Sequence, residues 1–172
     1  RSKAVRGALL AVVAVTVALW FVPAFGTLDY YFALAASAVL GPTGLTIGLT
    51  VARAEGASVR RRPALLAALG TTGTLSVVAL ALMLVNGLRQ PLCDVASGVL
   101  WFFVGPVAGA LYATVFGFAV GLLCPSRALR VVCLVALVAL AVVCPVVTLY
   151  TTPAIHFYHP VFGYFSGAVY DE

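Results

Sequence analysis

Charge is what this chain has least of. Asp, Glu, Lys and Arg make up 9% of its 172 residues, where an ordinary soluble domain carries about a quarter. A surface so poor in charge could not stay in water, which excludes a soluble globular domain. There are only two His and one Met. The four Cys (Cys93, Cys124, Cys133, Cys144) stand at no metal-ligand spacing and read as small hydrophobes in an apolar setting. No Asp, Glu, Lys, Arg or His falls well inside any of the five long apolar runs described below. Ionisable groups at membrane depth mark proton relays and ion pathways, so their absence argues against a pump or ion-coupled carrier acting alone. No catalytic or cofactor signature stands out, and the chain reads as a non-enzyme without cofactor or resident metal. The net charge of +5 is explained by the placement of the basic residues, with which aromatics do not interleave, so no nucleic-acid partner is expected.

What the chain has is apolar length. Hydrophobic residues make up 63% of it, and the mean hydropathy is +1.14. About 20 apolar residues at 1.5 Å each cross the hydrocarbon of a bilayer. Five such runs cover residues 7–22, 31–52, 64–88, 99–124 and 128–150. The expected fold is all-α, a polytopic (multi-pass) membrane bundle of five transmembrane helices. The first run lacks a small-residue cleavage site and continues into Trp20-Phe21-Val22-Pro23, so it reads as an uncleaved anchor, not a signal peptide. Pro63 sits where a helix starts, a position that tolerates a missing N–H. Pro145 lies inside the fifth run, where a kinked continuation fits better than a break.

Nine of the ten basic residues (Arg1, Lys3, Arg6, Arg53, Arg60, Arg61, Arg62, Arg127, Arg130) fall in alternate exposed segments, and only Arg89 lies opposite. Under the positive-inside rule this puts the N-terminus in the cytoplasm and the C-terminus outside, in a cell membrane. Trp20, Phe21, Phe25, Tyr30, Tyr31, Phe32, Trp101, Phe102, Phe103 and Tyr150 gather at the opposite edge, where amphipathic rings favour the interface.

Small residues recur at every fourth position of the fourth run: Gly105, Gly109, Ala113, Gly117 and Gly121. The second run has a shorter row, Gly44, Gly48 and Ala52. Lipid tails are as apolar as Leu, so membrane helices associate by close packing, and such faces are expected to meet. The contact could be internal, or could involve other membrane helices or a second copy in a homo-oligomer. Gly41-Pro42 and Gly105-Pro106 occupy corresponding places in these runs, so Pro42, Pro106 and Pro145 are the expected kinks. The hydroxyls of Thr43, Thr46, Thr50, Thr71, Thr72, Thr74 and Ser76, with Asn86, are expected to bond to their own or a neighbouring helix. The basic run Arg60-Arg61-Arg62 could hold anionic lipid, though topology alone accounts for it.

The last segment, 151–172, holds six aromatics, two Pro, two Gly and both His. It reads as an aromatic-rich extracytoplasmic surface segment or the start of a further domain. His156 and His159, with Asp171 folding back, are the low-ranking candidates for a metal site. Pro153 and Pro160 oppose a helix there, and an extended chain puts residues three apart on opposite faces. An outer-side disulfide between Cys93 and Cys144 is disfavoured, because Cys144 falls below the surface. The chain opens without Met at Arg1 and stops at Asp171-Glu172 just after the aromatic run, so a segment of a longer polypeptide is expected. The functional expectation is a non-catalytic integral membrane anchor or scaffold carrying an extracytoplasmic domain, with the lipid bilayer as partner. The alternatives are a transporter or permease subunit using the Gly-Pro kinks of the second and fourth helices, and a membrane metalloenzyme built on His156 and His159.

Overall fold

The computed structural model describes residues 2–23, 25–55, 61–89, 94–124, 126, 128–136, 139, 143, 147, 156–159 and 163–166. Helices α1 (Ser2–Leu19), α2 (Tyr30–Glu55) and α3 (Arg61–Asn86) come first. The next helix is composite: α4 (Val95–Phe102), a π-helical turn (Phe103–Val107) and α5 (Ala108–Leu123). A further helical stretch begins at 128 and is continuous over 128–136. Beyond it stand two short antiparallel strands, β1 (His156–His159) and β2 (Gly163–Ser166). The bundle itself is helical throughout.

Three helices are long and apolar enough to cross a membrane: Tyr30–Ala54, Arg61–Asn86 and Val95–Leu123. The described part of the first, Val5–Leu19, is apolar but shorter. The distribution of side chains fits the same solvent. Leu10, Leu66, Val77, Leu100 and Leu123 are 62–77% exposed, whereas Ser37, Thr72, Ser76, Asn86 and Thr114 are buried. An outward coat of this kind would aggregate in water. In lipid it costs nothing, and small and hydroxylated residues are left to fill the interior.

Three helix starts carry a side-chain cap. The Asp29 carboxylate accepts from Phe32 N at 3.0 Å and from Thr27 Oγ1 at 3.0 Å, capping α2. Asp94 accepts from Ser97 N at 3.0 Å, capping α4. Ser126 Oγ accepts from Leu129 N at 3.1 Å, capping the stretch from 128. Each oxygen satisfies an N–H that has no partner inside its helix, and both Asp charges also oppose the positive end of the helix dipole.

The helices alternate in direction. Along α2 and the composite helix, Leu28 faces Gly98, Ser37 faces Gly105, the 44–48 turn faces Ala110 and Thr114, and Ala52 faces Gly121. The partners advance together, so these helices run parallel, and α3, which separates them in the chain, runs back the opposite way. Val5 and Ala8 of α1 share a cavity with Ala54 of α2 and Ala67 of α3, so α1 and α3 begin where α2 ends. Arg6, Arg53, Arg61 and Arg62 therefore lie at one end of the bundle. At the other, the Arg89 guanidinium lies 5.5 Å from the Phe21 ring centre, and Tyr30 stands 5.6 Å edge-on to Trp101. Phe32 and Phe102 stack at 5.9 Å and are fully buried. They belong to the core with Leu40, Met83 and Val12. The expected aromatic edge thus divides into surface rings and core rings.

Candidate functional site

The most developed feature of the bundle is the seam between α2 and the composite helix. A Cβ built on Gly44 would strike the Ala110 carbonyl oxygen, and one on Gly48 would strike that of Thr114. From the other side, a Cβ on Gly117 would strike the Leu45 carbonyl oxygen, and one on Gly121 would come within 2.6 Å of Ala52 Cβ. Four glycines on two helices thus lie backbone against backbone. At the far end Gly98 meets Leu28 in the same manner. Gly105 is looser: its Cβ would sit 3.5 Å from Ser37 Oγ, an ordinary contact. Gly109 and Ala113 are buried on the same helix.

A polar thread runs beside this seam, between α3 and α5. Thr114 Oγ1 donates to the Ala110 carbonyl at 2.8 Å, which uses its one hydrogen. Thr72 Oγ1 lies 2.8 Å from Thr114 Oγ1, so Thr72 must be the donor of that second bond. Ser76 Oγ donates to the Thr72 carbonyl at 3.1 Å. Two helices, α3 and α5, are thereby joined through uncharged groups. Near the opposite end Asn86 Nδ2 donates to the Gly26 carbonyl at 2.7 Å, fully buried, and ties the end of α3 to the turn between α1 and α2. The remaining hydroxyls return to their own helices: Ser37 to Ala33, Thr43 to Val39, Thr46 to Thr43, Thr50 to Ile47, Thr71 to Ala67 and Thr74 to Gly70.

The prolines of the two Gly-Pro pairs behave differently. The α-helix of α2 continues through Pro42, which is exposed. Pro106 is buried inside the π turn. A proline inside a helix removes one N–H and presses on the carbonyl four residues back. The wider turn relieves that pressure, and Ala108 N reaches Phe103 O five residues back. β2 lies beside this turn and α2. Pro145 falls outside the described residues.

Cys124 and Cys133, both free, approach to 3.4 Å between sulfurs where α5 gives way to the next helix. Cys124 stands one residue past the crossing helix Val95–Leu123. Its thiol titrates above the ordinary range, chiefly through its hydrogen bond to Cys133 and then through burial, with Arg130 pulling the other way. Nine residues of sequence separate them, with a turn between, and no spacing rule would have paired them. Cys93, Cys144 and Asp171 fall outside the described residues. His156 stands opposite Ser166 and His159 opposite Gly163 in the strand register. Three apart on one strand, the two positions belong to opposite faces of the ribbon. Among the described residues, no group of three or more His, Cys, Asp or Glu could hold a metal.

Sequence reasoning missed the caps at Asp29, Asp94 and Ser126, although an Asp or Ser just before an apolar run is a usable helix-start signal. It also missed the Thr72–Thr114 bridge and the role of Asn86, which no local pattern announces. No protein-family model, curated protein or solved structure matches the chain. What remains to define its class is physical: a multi-pass helical bundle whose contacts are built for lipid.

Proposed function

We propose that this chain is a non-catalytic anchor and scaffold module of a cell membrane. Its basic end faces the cytoplasm, and it holds an extracytoplasmic domain that begins at the aromatic hairpin. The observation that carries this reading is the seam. Gly44, Gly48, Gly117 and Gly121 are spent on backbone contact between α2 and α5. The polar groups beside them are spent on one another. A site that binds and releases a substrate keeps convergent polar groups free for it; here the interior chemistry serves rigidity.

The positive-inside rule supports the orientation, because Arg6, Arg53, Arg61 and Arg62 share one end with α1 and α3 starting there. The fifth helix, starting from that end, would deliver the hairpin to the other face. The transport reading needs discontinuous helices at mid-membrane, and no observation specifically favours it, since α2 continues unbroken through Pro42.

The test is topology mapping in intact cells with a membrane-impermeant thiol reagent, on single-cysteine variants in a background with all four cysteines replaced. Ser126→Cys at the basic end should label only after permeabilisation, and Ala96→Cys at the other end should label at once. Labelling in the reverse order would overturn the orientation. A flux of solute through reconstituted vesicles, abolished by Pro106→Ala, would overturn the scaffold reading.

A further inference from the structure

The one cavity that stands out among the described residues lies at the basic end. Its volume is about 320 Å³, and Val5, Ala8, Thr46, Ile47, Val51 and Ala67 are among its walls. It exists because α1 is packed tightly only along its later half. Val12 and Thr16 are buried, whereas Val5, Arg6, Gly7, Leu9 and Leu10 are exposed. A Cβ on Gly7 would meet nothing within 4 Å. The three threonines on the walls, Thr46, Thr50 and Thr71, donate their hydroxyl hydrogens to their own helices. The walls therefore show methyl groups and no free donor, which suits hydrocarbon.

Positive charge collects at this end of the bundle. Arg6 follows the lining Val5, Arg53 lies between the lining Val51 and Ala54, and Arg61 and Arg62 open α3 less than two turns before the lining Ala67. All four are exposed. The acids Asp29 and Asp94 cap helices at the opposite end, and Glu55, the last residue of α2, is the acid in the sequence at this end. An apolar cavity at the end that carries four exposed guanidinium groups matches an amphiphile with an acyl chain and an anionic head. Guanidinium forks suit phosphate oxygens.

We propose that this groove binds one anionic glycerophospholipid of the adjoining leaflet, with an acyl chain between α1, α2 and α3 and the phosphate among Arg6, Arg53 and the Arg61–Arg62 pair. The proposal shares with the scaffold reading only the premise that the bundle sits in a bilayer. It would make the start of α1 lipid-dependent in its packing.

Native mass spectrometry of the purified chain in mild detergent tests it, with phosphatidylglycerol and phosphatidylcholine of identical acyl chains as probes. Phosphatidylglycerol should saturate at one per chain, at about tenfold lower concentration than phosphatidylcholine. A tenfold preference corresponds to about 1.4 kcal/mol, in the direction expected when guanidinium groups draw an anionic head. The double variant Arg6→Gln/Arg53→Gln should abolish the preference while leaving residual binding of both lipids. Thr50→Phe, which places a ring in the slot from an exposed wall, should weaken both alike, and Arg89→Gln at the far end should change nothing. Equal retention of the two lipids, an unchanged preference in the double variant, or displacement by millimolar inorganic phosphate would overturn the proposal. None of these outcomes bears on the orientation, which the thiol labelling reads separately.

Discussion

Single atoms decide the seam. A methyl group at Gly48 has no room beside the Thr114 carbonyl oxygen and the Phe118 nitrogen, and these are backbone atoms that cannot swing aside. At Gly70 and Gly73 of α3 the same methyl would meet nothing within 4 Å. We therefore expect Gly48→Ala and Gly117→Ala to cost roughly 1–3 kcal/mol or more, the scale of overpacking a close contact. Gly70→Ala should instead gain about 0.5–1 kcal/mol, because Ala is the better helix former where space is open. Thermal or denaturant unfolding in one detergent checks the contrast, and equal effects at the two kinds of site would refute it. The sequence row Gly105, Gly109, Ala113, Gly117, Gly121 does not rank its members. Only the structure separates Gly117, which touches Leu45, from Gly105, which has a full contact distance to Ser37.

At the scale of elements, the π turn is the feature with a mechanical consequence. A turn closed over five residues holds one residue more than an α turn, so Phe103–Val107 works as a one-residue insertion between α4 and α5. Removing Val104, which is exposed, should let the turn close as an ordinary α turn with the faces of α4 and α5 still aligned to α2. Removing Tyr112, also exposed and within α5, should rotate everything after it by about a quarter turn or more and carry Gly117 and Gly121 off the seam. Detergent-resistant monodisperse protein is expected from the first deletion and aggregation from the second, read by size-exclusion chromatography. Identical behaviour of the two would remove the insertion argument. The proline itself was plain in the sequence, but its effect was not. Pro42 and Pro106 follow the same Gly in the same kind of helix, and only one is buried within a widened turn.

At the scale of the whole molecule, the bundle is held without a large apolar drive. Hydrophobic burial cannot distinguish lipid tails from Leu, so cohesion rests on close approach along the seam and on a few buried hydrogen bonds. The junction of α5 with the following helix offers a direct handle. Cys124 and Cys133 stand 3.4 Å apart and need to close to about 2.05 Å to bond. In a Cys93→Ser/Cys144→Ser background, a small disulfide oxidant should remove both thiols within one chain, by exchange that releases two reduced thiols per disulfide formed. Because the Cys124 thiol is held above its ordinary range and thiolate is the attacking species, the reaction should be slow near neutrality and accelerate as pH rises. Thiol counting at several pH values reads this, and formation of crosslinked dimers in place of an internal bond would contradict the geometry.

The apolar runs, the sparse charge and its placement were enough to establish the class of solvent, the existence of helices long enough to cross it and the end at which positive charge collects. Those are one-dimensional properties, since the hydrocarbon thickness sets a length and desolvation forbids charge within it. Which glycines touch, that Thr72 must donate to Thr114, that Asn86 holds Gly26, that Phe32 and Phe102 are core, and that two cysteines nine residues apart are neighbours depend on how helices cross. Crossing geometry is fixed by van der Waals contact between residues far apart in the chain, and no local spacing carries it.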